Sequence, residues 1–395
     1  MTERQDRPIK ILASQATADR VSRRAFLGGS AVAVFSGSVL LAACGSEDPT
    51  TSGGSSTSAA PAGEVEDQLN FYHWAEYDDP KLFKRFTEEF GAETQIDIYA
   101  SNEEAIAKLT AQGGTAGYDI VVPTGVYIPQ MVELGLLDPM DLTRLPNFKN
   151  LDEAYADQPW DPGNAYSVCK DWGSTGWIYD TEAISTPIET WTDFLEVAKG
   201  EASGKTSVLD APNDLVGLYF WSIGGDWNTT DTAELDAAEA ALLELAPHIK
   251  AFDSYPAIPV TQGKYALAQV WNGDARGGIL GSDDPERYVW GLGAPITELW
   301  MDNWTLVKGG EHPNAAYEWI NFILDVDNSL EDLAYHGYNT GIKGVQEKAE
   351  AAGFERLDIF FFDDAQVETF RAGEVNEAQQ RQIDIWNKCK AAAGA

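Results

Sequence analysis

Apolar and polar positions across residues 69–122 alternate between two periods. Residues 69–72 read as a strand, and Pro80 opens a helix at a position where its missing N–H costs nothing. Leu82, Phe83, Phe86 and Phe90 then fall on one helical face, and Gly91 ends it. Ile96 and Ile98 alternate through a second strand at 95–99, after which Ser101 and Glu104 form a capping box for a helix carrying Ala105, Ile106 and Leu109. Residues 118–122 are apolar enough for a strand buried on both faces. This β-α-β-α-β order predicts an α/β lobe that binds ligands at the C-terminal ends of its strands. Those ends carry His73-Trp74-Ala75-Glu76-Tyr77 and Pro123-Thr124-Gly125-Val126-Tyr127.

A second α/β region follows, with 191–198 helical, 207–210 extended and a helix from 215 onward, capped around 210–214. Residues 232–245 form an amphipathic helix, 265–271 return as a strand, 314–324 are helical, and 378–393 close the chain as a helix. Within Trp300-Met301-Asp302-Asn303-Trp304, read as extended, Trp300, Asp302 and Trp304 point to one face. A carboxylate between two indoles suits an organic ammonium, which approaches aromatic faces while the acid accepts its N–H bonds. The same residues would equally serve as a turn-capping Asp beside two core tryptophans.

The ends of the chain change the picture. Ser22-Arg23-Arg24-Ala25-Phe26-Leu27 is a twin-arginine pattern followed by the small and apolar run 28–43, which is too short for a comfortable membrane span. It ends in Leu41-Ala42-Ala43-Cys44, which resembles the lipobox of bacterial lipoproteins. That resemblance implies an exported protein, cut before Cys44 and held by lipid on the outer face of the cytoplasmic membrane. Residues 44–66 are rich in Ser, Thr, Gly, Ala and Pro and predict a disordered tether. The body from 67 to 395 is too long for one simple core, so two lobes are expected.

The formal charge is −36, and removing a leader with six basic and three acidic residues takes it to about −39. Such a field repels nucleic acid and anionic lipid and favours cations. Most of the acids are expected on the solvated surface. Cys169 and Cys389 leave open either a disulfide or two separate buried thiols. His73, His248, His312 and His336 are scattered, with no zinc-type spacing, and no metal or cofactor is expected.

The landmarks Phe71-Tyr72-His73-Trp74-Ala75-Glu76-Tyr77, Tyr118-Asp119-Ile120-Val121-Val122-Pro123, Asn228-Thr229-Thr230-Asp231, Val270-Trp271-Asn272-Gly273, Trp300-Met301-Asp302 and His336-Gly337-Tyr338-Asn339-Thr340 resemble, in order and spacing, the spermidine/putrescine-binding proteins of bacterial polyamine ABC importers. The resemblance runs through nearly the whole body. It implies an α/β, two-lobed periplasmic-binding-protein fold of type II, with a first lobe starting over about 67–172, a second mainly over about 180–298, and later segments crossing between them. It also implies a monomer that binds a polyamine in the cleft and delivers it to a membrane permease. Trp74, Tyr77, Trp271 and Trp300 would be aromatic walls, with Tyr338 near the mouth. Asp302 would be the central ammonium partner, Thr124 a small hydroxyl residue, Glu76 an acid of the first-strand motif, and Asn376 would stand at a family Gln position. The family pattern Asp-Asp-x-x-Glu is altered here to Asp210-Ala211-Pro212-Asn213-Asp214, leaving Asp210 and Asp214 as candidates, and a family Tyr falls at Val126. The cleft thus keeps its centre and changes its distal end.

Thirteen tryptophans are present, and Trp160, Trp172, Trp177, Trp191, Trp221, Trp227, Trp290, Trp319 and Trp386 are assigned to packing. Three rival readings are weighed. A glycosidase would also use acids beside indoles, but no nucleophile motif, phosphate loop or metal cluster supports an enzyme. A binding protein for another cationic or zwitterionic solute would need a carboxylate partner, for which Arg276 or Lys170 are the candidates. A binding protein that reports to a membrane sensor would differ only in its partner.

Overall fold

The computed structural model describes residues 10–12 and 63–394. Apart from residues 10–12, the expected leader lies outside them, as do Cys44 and most of the expected tether. Residues 63–66, assigned above to the tether, belong instead to the body. The Glu66 carboxylate accepts hydrogen bonds of 2.8 Å from both Asn314 Nδ2 and the Ala315 amide. An acid is stabilised there by the positive end of the helix Pro313–Ile323.

Among the described residues, twelve strands form one continuous curled sheet: β1 Lys10–Leu12, β2 Gln68–His73, β3 Glu93–Ile98, β4 Ile120–Val121, β5 Leu137–Asp138, β6 Ser167–Asp180, β7 Thr206–Val208, β8 Ile249–Phe252, β9 Leu267–Trp271, β10 Tyr288–Leu292, β11 Thr297–Val307 and β12 Phe370–Ala372. Their order is β1-β3-β2-β4-β11-β6-β9-β7-β8, with β10 on β6 and both β5 and β12 on β11. The first half is parallel through β3, β2 and β4, and the second is parallel through β8, β7 and β9. The long antiparallel pair β6 and β11 joins them.

The two largest apolar cores among the described residues sit at either end of that pair. One gathers Phe71, Phe83, Phe86, Trp304 and Trp319; the other gathers Trp177, Trp191, Phe194 and Trp221. The chain leaves the first core along β6 and returns along β11. It crosses again after β12 to the helix Gln379–Ala393, whose Ile385 and Cys389 join the second core. Cys169 belongs to the first core, so the two cysteines are separate buried thiols.

Local signals set the first lobe's helices. Asp79 accepts from the Lys81 amide to start Pro80–Phe90, Gly91 at φ 82° stops it, and Leu82, Phe83 and Phe86 are its buried face. Ser101 accepts from the Glu104 amide at 3.2 Å, but Glu104 reaches back to Ala100 at 2.9 Å, not to Ser101, so the reciprocal box is displaced by one residue. The helix expected from 215 begins earlier, at Pro212, because proline is suited to a first turn and Ala211 offers no side-chain cap. Of the strand expected at 118–122, only Ile120–Val121 pairs.

Candidate functional site

A cleft of about 550 Å³ lies between the two cores. Trp74, Glu76, Tyr77, Thr124, Asp210, Asp214, Trp271, Trp300, Asp302 and Tyr338 all line it. Most arrive from the ends of β2, β4, β7 and β9, the positions an open α/β sheet offers to ligands, while Trp300 and Asp302 come from within β11 and Tyr338 follows the helix Val326–His336. Asn376 is not on the lining. Its Nδ2 donates to the Asn228 carbonyl at 2.7 Å and its Oδ1 accepts from the Ala378 amide at 2.9 Å, so the side chain anchors the start of the last helix.

The aromatic walls are placed by small neighbours and by one another. A Cβ at Gly173 would come within 2.4 Å of the Trp300 ring, so only glycine lets that indole lie across β6. Trp300 then meets Tyr338 edge to face at 4.8 Å. Trp74 packs edge-on to Tyr99 at 4.6 Å, and its Nε1 donates to the Val122 carbonyl at 3.1 Å. Trp304, expected beside Asp302, lies instead in the first core, 1 % exposed and edge-on to Trp319. There β11 runs into the first core, and at the same point β6 is bulged, skipping Lys170 between the partners of Asp302 and Asn303.

Asp214 and Asp302 are the two buried acids of the lining, 5 % and 6 % exposed. Asp302 Oδ2 lies 2.6 Å from the Tyr77 hydroxyl, which stands 2.6 Å from Asp171 Oδ1 as well. One hydroxyl hydrogen cannot satisfy two carboxylates. Burial and then the Asp171 charge push the Asp302 carboxyl up to about 7, against the opposing effects of Tyr77, Thr124 and Lys170. Its other oxygen, Oδ1, is buried with no hydrogen-bond partner.

Behind it, Lys170 is 3 % exposed and stands 3.2 Å from Asp78, 3.3 Å from Asp171 and 3.1 Å from Asp332. It also donates to the Tyr77 carbonyl at 3.0 Å. Against burial, these acids hold the Lys170 ammonium well above its ordinary range, and against burial Lys170 and His336 hold Asp332 well below its own. Burial leaves His73 lowered to about 4 and hence neutral at pH 7. Lys170 is thus committed to a structural network, and Arg276 donates to the Glu355 carbonyl at 3.0 Å over the Phe360 ring. Neither lines the cleft.

At the second-lobe side, Thr175 Oγ1 lies 3.0 Å from Asp214 Oδ1 and 2.7 Å from Glu298 Oε2. Burial pushes Asp214 up to about 6, and burial together with Asp214 raises Glu298 well above the carboxylate range. Asp210 is already paired with Lys390 at 2.8 Å. In all, the lining carries Glu76, Glu103, Asp210, Asp214, Asp274, Glu298 and Asp302, and it includes no Lys or Arg among the described residues.

Sequence reasoning missed several lining residues. Glu298 was within reach, since the alternation of Trp300 and Asp302 extends back to it. Trp160 and Trp227, assigned above to packing, both line the cleft, and Tyr255 and Asp274 stand near Trp271. No spacing in the sequence pointed to them, because each comes from a separate loop or helix end. Among the described residues, no group of His, Cys, Asp and Glu could hold a metal ion.

The family described as bacterial extracellular solute-binding protein matches residues 81–358. The spermidine/putrescine-binding periplasmic protein of Salmonella typhimurium is 34% identical over 284 residues, covering 72% of this chain and 80% of that protein. Among solved structures, the spermidine/putrescine ABC transporter substrate-binding protein PotD of Streptococcus pneumoniae is 27% identical with a TM-score of 0.71, over 83% of this chain and 100% of that one. The TpPotD lipoprotein of Treponema pallidum is 25% identical with a TM-score of 0.72, over 82% and 99%.

Proposed function

The chain belongs to the bacterial extracellular solute-binding protein family, and on that premise we propose that it captures a polyamine of the putrescine or spermidine type in its acidic, tryptophan-lined cleft and hands it to the permease of an ABC importer. The observation that carries this reading is Asp302. A buried carboxylate with a free oxygen faces a cleft walled by Trp74, Trp271 and Trp300. A polyamine has the complementary shape, with methylenes for the indoles and ammonium groups for the acids.

Each charge-assisted hydrogen bond contributes about 1.5–3 kcal/mol, and each indole contact about 0.5–2 kcal/mol. A few of each, less closure and desolvation costs, are enough for micromolar binding, about −8 kcal/mol. The absence of Lys and Arg from the described lining argues against a zwitterion, whose carboxylate would have no cation to meet. Binding without catalysis is in keeping with the family.

Export by the twin-arginine route, cleavage before Cys44 and lipid anchoring of a monomer outside the cytoplasmic membrane complete the proposal. Cys44→Ala should release the protein from the membrane fraction, and retention there would refute the anchor. The test of the ligand is calorimetry on protein stripped by unfolding and refolding, titrated with putrescine, spermidine and spermine. Saturable binding of one of them supports the reading. Folded protein that takes up none of the three overturns it.

A further inference from the structure

In the cleft, two hydroxyls are each asked to satisfy two carboxyl groups: Tyr77 between Asp302 and Asp171, and Thr175 between Asp214 and Glu298. A hydroxyl has one hydrogen, so in each group a further proton resolves the contact. The first group rests on the Lys170 network. Among the described residues the second has no cation in contact: Thr175 and Asp214 are buried, and Glu298 borders the cleft. The charged and titratable groups around the second pair are Asp302 on β11, Asp210 with its partner Lys390, and Glu103, which accepts from the Tyr127 hydroxyl at 2.7 Å. All of the acids face the same cavity as the unpartnered Asp302 Oδ1.

We propose that Glu298 supplies, from β11, the acid missing at Ala211, and that Glu298, Asp214 and Thr175 form a second ammonium subsite which exchanges a held proton for the ligand's cationic end. The bookkeeping is simple. The carboxyl–carboxylate pair loses its proton to the buffer, the ammonium keeps its own three hydrogens, and the pair then carries two negative charges around one positive group. Helix residue Asp214 stands fixed at the first turn of Pro212–Ile223, while Glu298 continues the strand that presents Trp300 and Asp302. One strand thereby carries an acid for each end of a diammonium chain. The assignment deepens the polyamine reading and stands only with it.

The experiment is calorimetric titration of the stripped protein with putrescine and with n-butylamine at pH 6, in two buffers of different ionisation enthalpy. The dependence of heat on buffer counts the protons released. For Glu298→Gln, putrescine binding should weaken about 10- to 100-fold and release about one proton fewer, while n-butylamine, with a single ammonium for Asp302, changes less than about 3-fold. Asp214→Asn should reproduce the proton loss and provides the test should Glu298→Gln fail to fold by circular dichroism. Unchanged affinity and proton count in the variants, with wild type binding putrescine normally, overturns the assignment alone. Wild type that binds no polyamine overturns the polyamine reading and this assignment with it.

Discussion

The two acidic ends of the cleft are built in opposite ways. Asp302 is backed by a buried network in which Lys170 meets three carboxylates and Tyr77 links the network to the ligand side. Asp214 and Glu298 share Thr175 and contact each other, and among the described residues neither forms an ion pair; Asp210 pairs separately with Lys390. The first end is held in one orientation by that network. The second is poised: its charges repel each other until a cation or a proton comes between them.

The largest effect expected from breaking this contrast is on stability. Lys170→Met strips three buried carboxylates of their shared ammonium and should destabilise the fold by about 3–5 kcal/mol, read by chemical denaturation. A loss under 1 kcal/mol would show that the network is not a scaffold. Next, Asp302→Asn should weaken polyamine binding by about 2–3 kcal/mol in calorimetry while leaving the melting temperature unchanged or higher, because it removes a like charge from Asp171. Trp271→Ala should cost about 1–2 kcal/mol of affinity, measured in the same way.

pH acts on both ends. Asp302 is pushed up to about 7 and Asp214 to about 6, so ligand must expel protons below those values and affinity should fall between pH 8 and pH 5.5. Stability of the empty protein has the opposite sign. Groups whose folded values are raised bind protons more tightly in the native state, so their contribution grows as pH falls from 8 toward 5. Asp332, held low, works against this only as pH falls below its unfolded value. Melting temperatures across that range, with and without saturating ligand, check both signs, and a flat profile without ligand would remove the poised end. The smallest effect belongs to Asn376→Ala. It should cost about 1 kcal/mol of stability at the start of the last helix and leave affinity within twofold by calorimetry.

Much of the fold was legible because its signals are local. Pro80, Gly91 and the spacing of Leu82, Phe83 and Phe86 delimit one helix almost to the residue. The strand β6 was not legible. It is buried along all fourteen residues yet holds Lys170, Asp171, Ser174 and Thr175, a composition that no strand pattern announces. Those polar residues are paid for by partners from distant segments: Asp78, Asp332, Glu298 and Asp214.

By itself the amino-acid order determined the α/β class, the lobe expectation and the family likeness, and it singled out Trp271, Trp300 and Asp302, which line the cleft. These depend on periodicity and on motifs of a few residues, whose physics is that of neighbours along the chain. Tertiary structure alone decided that Trp304 faces the core, that Asn376 holds a helix start, that Lys170 belongs to a scaffold, and that Glu298 joins Asp214. Each of these turns on which groups a curled sheet brings within hydrogen-bond reach, and for a buried charge that company decides whether it is neutralised, protonated or left open to a ligand.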